Sequence, residues 1–136
     1  MNTVSRESRH VSVFIDRPVA AVYGYASDPG NLPAWAHGLS GAIEKVDGQW
    51  VAQSPMGRVV VAFAAPNDLG VLDHDVTLPS GETVYNPVRV LADGDAASEV
   101  VFTIRRRAEM SDDDLRRDAA TVAADLERLK EIVESA

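Results

Sequence analysis

Residues 111–133, SDDDLRRDAATVAADLERLKEIV, hold the most regular pattern in the chain. Leu115, Ala119, Val122, Leu126, Leu129 and Val133 recur at alternating steps of four and three, which puts them on one face of an α-helix. Arg116, Arg117, Asp125, Arg128 and Glu131 fall largely away from that stripe. Ser111 and Asp114 have the spacing of a capping box, with Asp in place of the usual Glu, and Asp112 and Asp113 complement the helix dipole. At ~1.5 Å per residue, a helix over 112–135 is roughly 36 Å long, enough to cross most of a sheet. An apolar stripe of that length needs a cover. A homodimeric coiled coil is one candidate, but the stripe is short for a supercoil and Ala119 is a weak seam residue. A sheet of the same chain is the other.

The preceding residues supply such a sheet. From His10 to Asp16, Val11, Val13 and Ile15 alternate with Ser12 and Phe14, the pattern of a half-buried strand. Asp16-Arg17-Pro18 ends it and opens a helix, with an Asp that can cap and a Pro suited to a first turn. Val19, Val22, Tyr23 and Ala26 follow at helical spacing, Asp28-Pro29-Gly30-Asn31 breaks this helix, and residues 32–37 read as a second short helical turn. After Gly38, strands are expected at 42–46, 50–54, 58–64, 69–78, 82–91 and 98–106. The turns between them include Asp47-Gly48, Pro55-Met56-Gly57, Pro79-Ser80-Gly81 and Asp93-Gly94-Asp95. Successive strands with short turns imply an antiparallel meander, so the expected fold class is α+β.

With 136 residues, 46% hydrophobic and 25% charged, the chain reads as one globular domain over 1–136, not as a disordered segment. Its net charge of −8 argues against nucleic acid and anionic membranes, which select a basic face. The basic run Arg105-Arg106-Arg107 reads as solvated charge at a strand end. The lack of cysteine excludes disulfides, thiol nucleophiles and thiolate-bound metals. Residues 1–10 are polar, and no apolar run approaches bilayer-spanning length, so a cytoplasmic protein without membrane insertion is expected.

Strand alternation also locates a site. Leu72, His74, Val76 and Leu78 share one face, while Asp73, Asp75 and Thr77 take the opposite, solvent-like one. Asn86 shares a face with Val84, Val88 and Val90, and Val100, Phe102 and Ile104 make the inner face of the last strand. The concave face is therefore expected to be apolar, with His74 and Asn86 as isolated polar groups, each needing a partner. A few polar groups on an apolar concave surface is the usual make-up of a small-molecule pocket. Metal binding is not expected. The histidines are far apart in sequence, and strand geometry turns Asp73 and Asp75 away from His74. The sequence has no phosphate loop and no nucleophile elbow.

The opening strand, Asp16-Arg17-Pro18, Val22-Tyr23 and the stretch DPGNLPAW from Asp28 to Trp35 resemble the start of the START-like, or SRPBCC, superfamily. Residues 69–74 (LGVLDH), 98–103 (SEVVFT) and 125–130 (DLERLK) resemble its bacterial polyketide cyclase/dehydrase-like branch. That superfamily includes birch-pollen allergens and lipid-transfer domains. The resemblance implies a helix-grip fold, with a seven-stranded antiparallel sheet curled around the terminal helix and a cavity between them. It carries over no catalytic residue and no cofactor. The leading expectation is a binding module for a small apolar or amphipathic molecule. Phe63, Phe102, Val122 and Leu126 would form the wall, Trp35 the rim, and His74 and Asn86 the polar contacts. The rival is a cyclase or dehydratase acting on a polyketide-like substrate with His74 as acid–base group. A third reading is a domain with a collapsed cavity that works through protein contacts, for example by forming a homodimer.

Overall fold

The computed structural model describes residues 6–36, 42–55 and 57–136. Its elements are β1 (Ser8–Ile15), α1 (Val19–Ala26), a 3₁₀ turn (Pro29–Asn31), α2 (Leu32–Trp35), β2 (Ile43–Val46), β3 (Gln49–Ser54), β4 (Gly57–Phe63), β5 (His74–Thr77), β6 (Thr83–Asn86), β7 (Val88–Asp93), β8 (Ala97–Arg105) and α3 (Asp112–Glu134). His37, expected to end the second helical turn, and Met56, in an expected strand turn, lie outside the described residues.

All strand pairs are antiparallel. In place of the single seven-stranded sheet expected, the described residues form a three-stranded sheet, β1-β8-β7, and a five-stranded sheet, β2-β3-β4-β5-β6. The strand expected over 82–91 is divided at Pro87 into β6 and β7, and only His74–Thr77 of the strand expected over 69–78 is regular. Pro87 is the physical reason for the break between β6 and β7, because it accepts from Thr103 N–H at 2.9 Å but has no N–H to return to that ladder. Register nevertheless continues across the break. His74 pairs with Asn86 on one side, and Val71 bridges to Arg89 on the other. Leu72 N–H donates to Val88 O at 2.8 Å, and Val90 N–H to Gly70 O at 2.8 Å. Gly70, at φ +73°, lies so close to this strand that a Cβ would stand 2.3 Å from Val90 O.

A regular pair would also return the Val88 N–H to Leu72 O. Here Val88 N–H donates to Asp73 Oδ1 at 2.9 Å, and Leu72 O accepts from His74 Nδ1 at 3.1 Å. Two consecutive side chains thus satisfy both halves of one opened backbone bond. Asp73 also receives two bonds from Arg89, 2.9 Å from Nε and 2.8 Å from Nη2, and one from the Tyr85 hydroxyl. It faces away from His74, as alternation requires, yet it is only 6% exposed. The solvent-like setting expected for Asp73 is therefore corrected, because Arg89 and Tyr85 cover it. Arg89 holds this carboxyl well below the usual carboxylate range, with help from Tyr85 and the Val88 N–H and against the desolvation of burial.

The capping box starts α3 as expected. Asp114 N–H donates to Ser111 Oγ, and Ser111 N–H to Asp114 Oδ2, each at 3.0 Å. Leu115, Leu126, Leu129 and Val133 are buried, with Leu126 only 1% exposed, while Val122 and Ala119 are half-buried. The helix lies mainly along β1 and also meets β8, α1 and α2. Asp16 does not cap α1, since Pro18 holds the N-cap position without a side-chain bond. The Asp16 N–H instead donates to Glu134 Oε2 at 2.8 Å, tying the end of β1 to the end of α3. Among the described residues, no helix is long and apolar enough to cross a membrane.

The terminal helix is part of the core, and its loss is expected to unfold the chain. Leu126→Asp removes apolar burial worth about 2–5 kcal/mol and inserts an unpaired carboxylate, against a total stability of ~5–15 kcal/mol. The variant, or a chain ending at Met110, is expected to lack a cooperative melting transition by circular dichroism. Sharp melting near the parent temperature would make the helix a detachable segment.

Asp73→Ala is expected to cost about 1–3 kcal/mol, chiefly from the orphaned Val88 N–H. The Arg89 side chain is 49% exposed and can return to water, so its share is smaller. Asp73→Asn keeps an acceptor for Val88 and should lose less. Because the Asp73 pKa is depressed on folding, its contribution is complete above the ordinary value of 3.8 and fades as pH falls below it. The gap between parent and Asp73→Ala in urea melts should therefore be constant from pH 7 to 5 and narrow below pH ~4.

Candidate functional site

Cross-strand pairing sets the floor of the site. Phe63, His74 and Asn86 are direct neighbours across β4, β5 and β6, and Val61, Val76 and Val84 form the next such row. The imidazole of His74 lies between the Phe63 ring, 5.1 Å away and tilted by 44°, and the Phe102 ring, 6.0 Å away and edge-on. A carbonyl oxygen only accepts, so the contact with Leu72 O requires the proton on Nδ1. Nε2 is then an acceptor, 3.4 Å from the Asn86 amide nitrogen. Burial pushes the His74 pKa below the usual histidine range, opposed by the Leu72 bond and by the charges of Asp73 and Asp75. The imidazole is thus neutral at physiological pH.

The side chains above this floor leave a cavity of about 530 Å³ between α3, the sheet and Ala36 after α2. Val76, Leu78, Val84, Phe102, Ile104 and Val122 form its apolar lining. From α3 come Asp118, Thr121, Val122 and Asp125, a helix face at steps of three and four. Glu82, Arg105 and Arg107 add charge to the lining, and Arg107 Nη1 stands 3.7 Å from Glu82 Oε1. Among the described residues, no group of three or more His, Asp or Glu side chains is arranged to hold a metal ion.

Of the residues read from the sequence, His74, Asn86, Phe102 and Val122 line this cavity together. Phe63 sits behind His74 in ring contact and is absent from the lining. Leu126 and Trp35 belong to the core. Trp35, expected at the rim, is 5% exposed, and its indole N–H has no hydrogen-bond partner among the described residues. The turn from the 3₁₀ segment into α2 drives that ring inward beside Leu32, which is also buried. The sequence reading left out Asp118, Thr121 and Asp125. They lie four and one before and three after Val122, a spacing that could have picked them out as its neighbours around one helical turn.

Neither a protein-family model nor a curated protein matches the chain by sequence. Solved structures do match in shape. A START superfamily protein from Mycobacterium smegmatis superposes with a TM-score of 0.71 at 12% identity, over 94% of this chain and 97% of that one. The ZhuI aromatase/cyclase from Streptomyces sp. R1128 gives 0.72 at 13% identity, over 96% and 94%. Truncated norcoclaurine synthase from Thalictrum flavum gives 0.69 at 12% identity, over 100% and 99%. Identities this low speak for shape alone. The curved antiparallel sheet, the paired short helices and the long terminal helix with its cavity are the START-like helix-grip fold, and this chain has it.

Proposed function

We propose that this domain binds a small apolar or amphipathic molecule in the cavity between α3 and the sheet. The observation that carries the proposal is the unfilled volume of about 530 Å³ with a mainly apolar lining. Small-molecule sites run to about 300–1,000 Å³ with few polar groups, which matches this space. His74, Asn86, Phe102 and Val122 contact the ligand in this reading, while Phe63, Trp35 and Leu126 support the wall from behind. The net charge of −8 supports a partner other than nucleic acid or an anionic membrane, and a cytoplasmic setting belongs to the same proposal.

A second reading is catalytic. Two of the similar structures are an aromatase/cyclase and norcoclaurine synthase, and His74 could act as the acid–base group on a polyketide-like substrate. Its partners weigh against this. The imidazole contacts a carbonyl, an amide and two phenyl rings, and none of these relays a proton.

A neutral fluorescent probe such as N-phenyl-1-naphthylamine is expected to bind the folded domain saturably with one site. Val122→Trp should fill the cavity and weaken that binding at least ~tenfold while the melting transition stays cooperative. Undiminished binding in this variant would move the ligand elsewhere and favour the protein-contact reading.

Once a ligand is in hand, His74→Ala separates binder from enzyme. Weaker affinity with no turnover in either protein is the expected result. Turnover by the parent that falls by orders of magnitude at unchanged affinity would establish the catalytic reading.

A further inference from the structure

We infer that the ligand of this cavity carries a neutral hydroxyl, alcoholic or phenolic, which it seats against His74 Nε2 and the Asn86 amide. The inference rests on the binding role proposed above and deepens it.

The Leu72 carbonyl holds the proton of the neutral imidazole on Nδ1, so Nε2 keeps the lone pair, and His74 lines the cavity. The Asn86 amide nitrogen stands at 3.4 Å, a long bond that occupies this lone pair weakly. That nitrogen has two hydrogens, and only one is directed at Nε2. Among the described residues that nitrogen bonds only Nε2, so the floor presents one acceptor and one further donor side by side, and a hydroxyl answers both. It donates to Nε2 and accepts from the amide.

Other head groups fit less well. A carboxylate has no hydrogen for Nε2, and it would sit near the negative charges of Asp73 and Asp75 that reach His74. A ketone uses the amide alone. An ammonium group meets the same desolvation that keeps the imidazole uncharged. A hydrocarbon leaves both polar groups as they are. The Phe63 and Phe102 rings beside the imidazole leave an apolar, ring-lined surround for the rest of the molecule.

The test is a set of probes on one skeleton, 2-naphthol, 2-naphthoate and naphthalene, titrated into the full chain at pH 7.5 by calorimetry. 2-Naphthol should bind roughly tenfold more tightly than naphthalene, the worth of one or two net hydrogen bonds, and more tightly still than 2-naphthoate. The preference should collapse in Asn86→Leu and in His74→Phe, with naphthalene affinity kept. The parent itself gives an independent readout, because the ¹⁵N signal of the imidazole acceptor nitrogen should move on adding 2-naphthol and not on adding naphthalene. Equal affinities for the probes, or tighter binding of 2-naphthoate, overturn the hydroxyl assignment and leave the cavity's binding role standing. Failure of all the probes to bind overturns both.

Discussion

The site depends on one opened backbone bond. Where β6 gives way to β7 at Pro87, the Val88 N–H and the Leu72 carbonyl no longer meet, and both would be stranded in a buried sheet. The side chains of Asp73 and His74 take one each. Since successive residues of an extended chain face opposite ways, this repair places a carboxylate on the outer surface and an imidazole on the inner one. The same requirement decides the chemistry of the inner face. A neutral imidazole that donates from Nδ1 to a carbonyl can only accept at Nε2, so the backbone geometry of the joint and the burial of the ring determine what the cavity floor offers a visitor.

Two neighbouring residues are thereby driven to opposite electrostatic limits. Asp73 is covered, but by a guanidinium, a phenol and an amide, and it stays ionised. His74 is covered by phenyl rings and loses its charge. Burial is common to both, and the partners decide its effect. The helix divides along its length in a similar way. Towards its C-terminal end Leu126, Leu129 and Val133 are buried in the core, whereas Asp118, Thr121 and Val122 line the open space.

Much of this was legible in the residues. The stripe from Leu115 to Val133, the Ser111 capping box and the inward placement of His74 follow from period and local chemistry alone, and they stand in the structure. The START-like fold was legible through resemblance. The break at Pro87 was missed although a proline inside an apparent strand is a warning against continuity. The burial of Asp73 could not be read from alternation, because it depends on Tyr85 and Arg89 from the paired chain segments closing over an outward face. Trp35 was misplaced because a short helical turn has too few residues to define a buried face by period.

The latch between Asp16 and Glu134 has a bearing on how the chain acquires its structure. Among the described residues β1 pairs only with β8 and packs on α3, so the first strand finds its partners far along the chain, up to the 118 residues between Asp16 and Glu134. Until β8 and α3 are in place, Val11, Val13 and Ile15 lack these partners, and the β2–β6 meander lacks the helix. Contacts this distant in sequence slow folding and lengthen the life of exposed strand edges. Closing the first strand onto β8 and α3 therefore carries the loop-closure cost of bringing together residues as distant as Asp16 and Glu134.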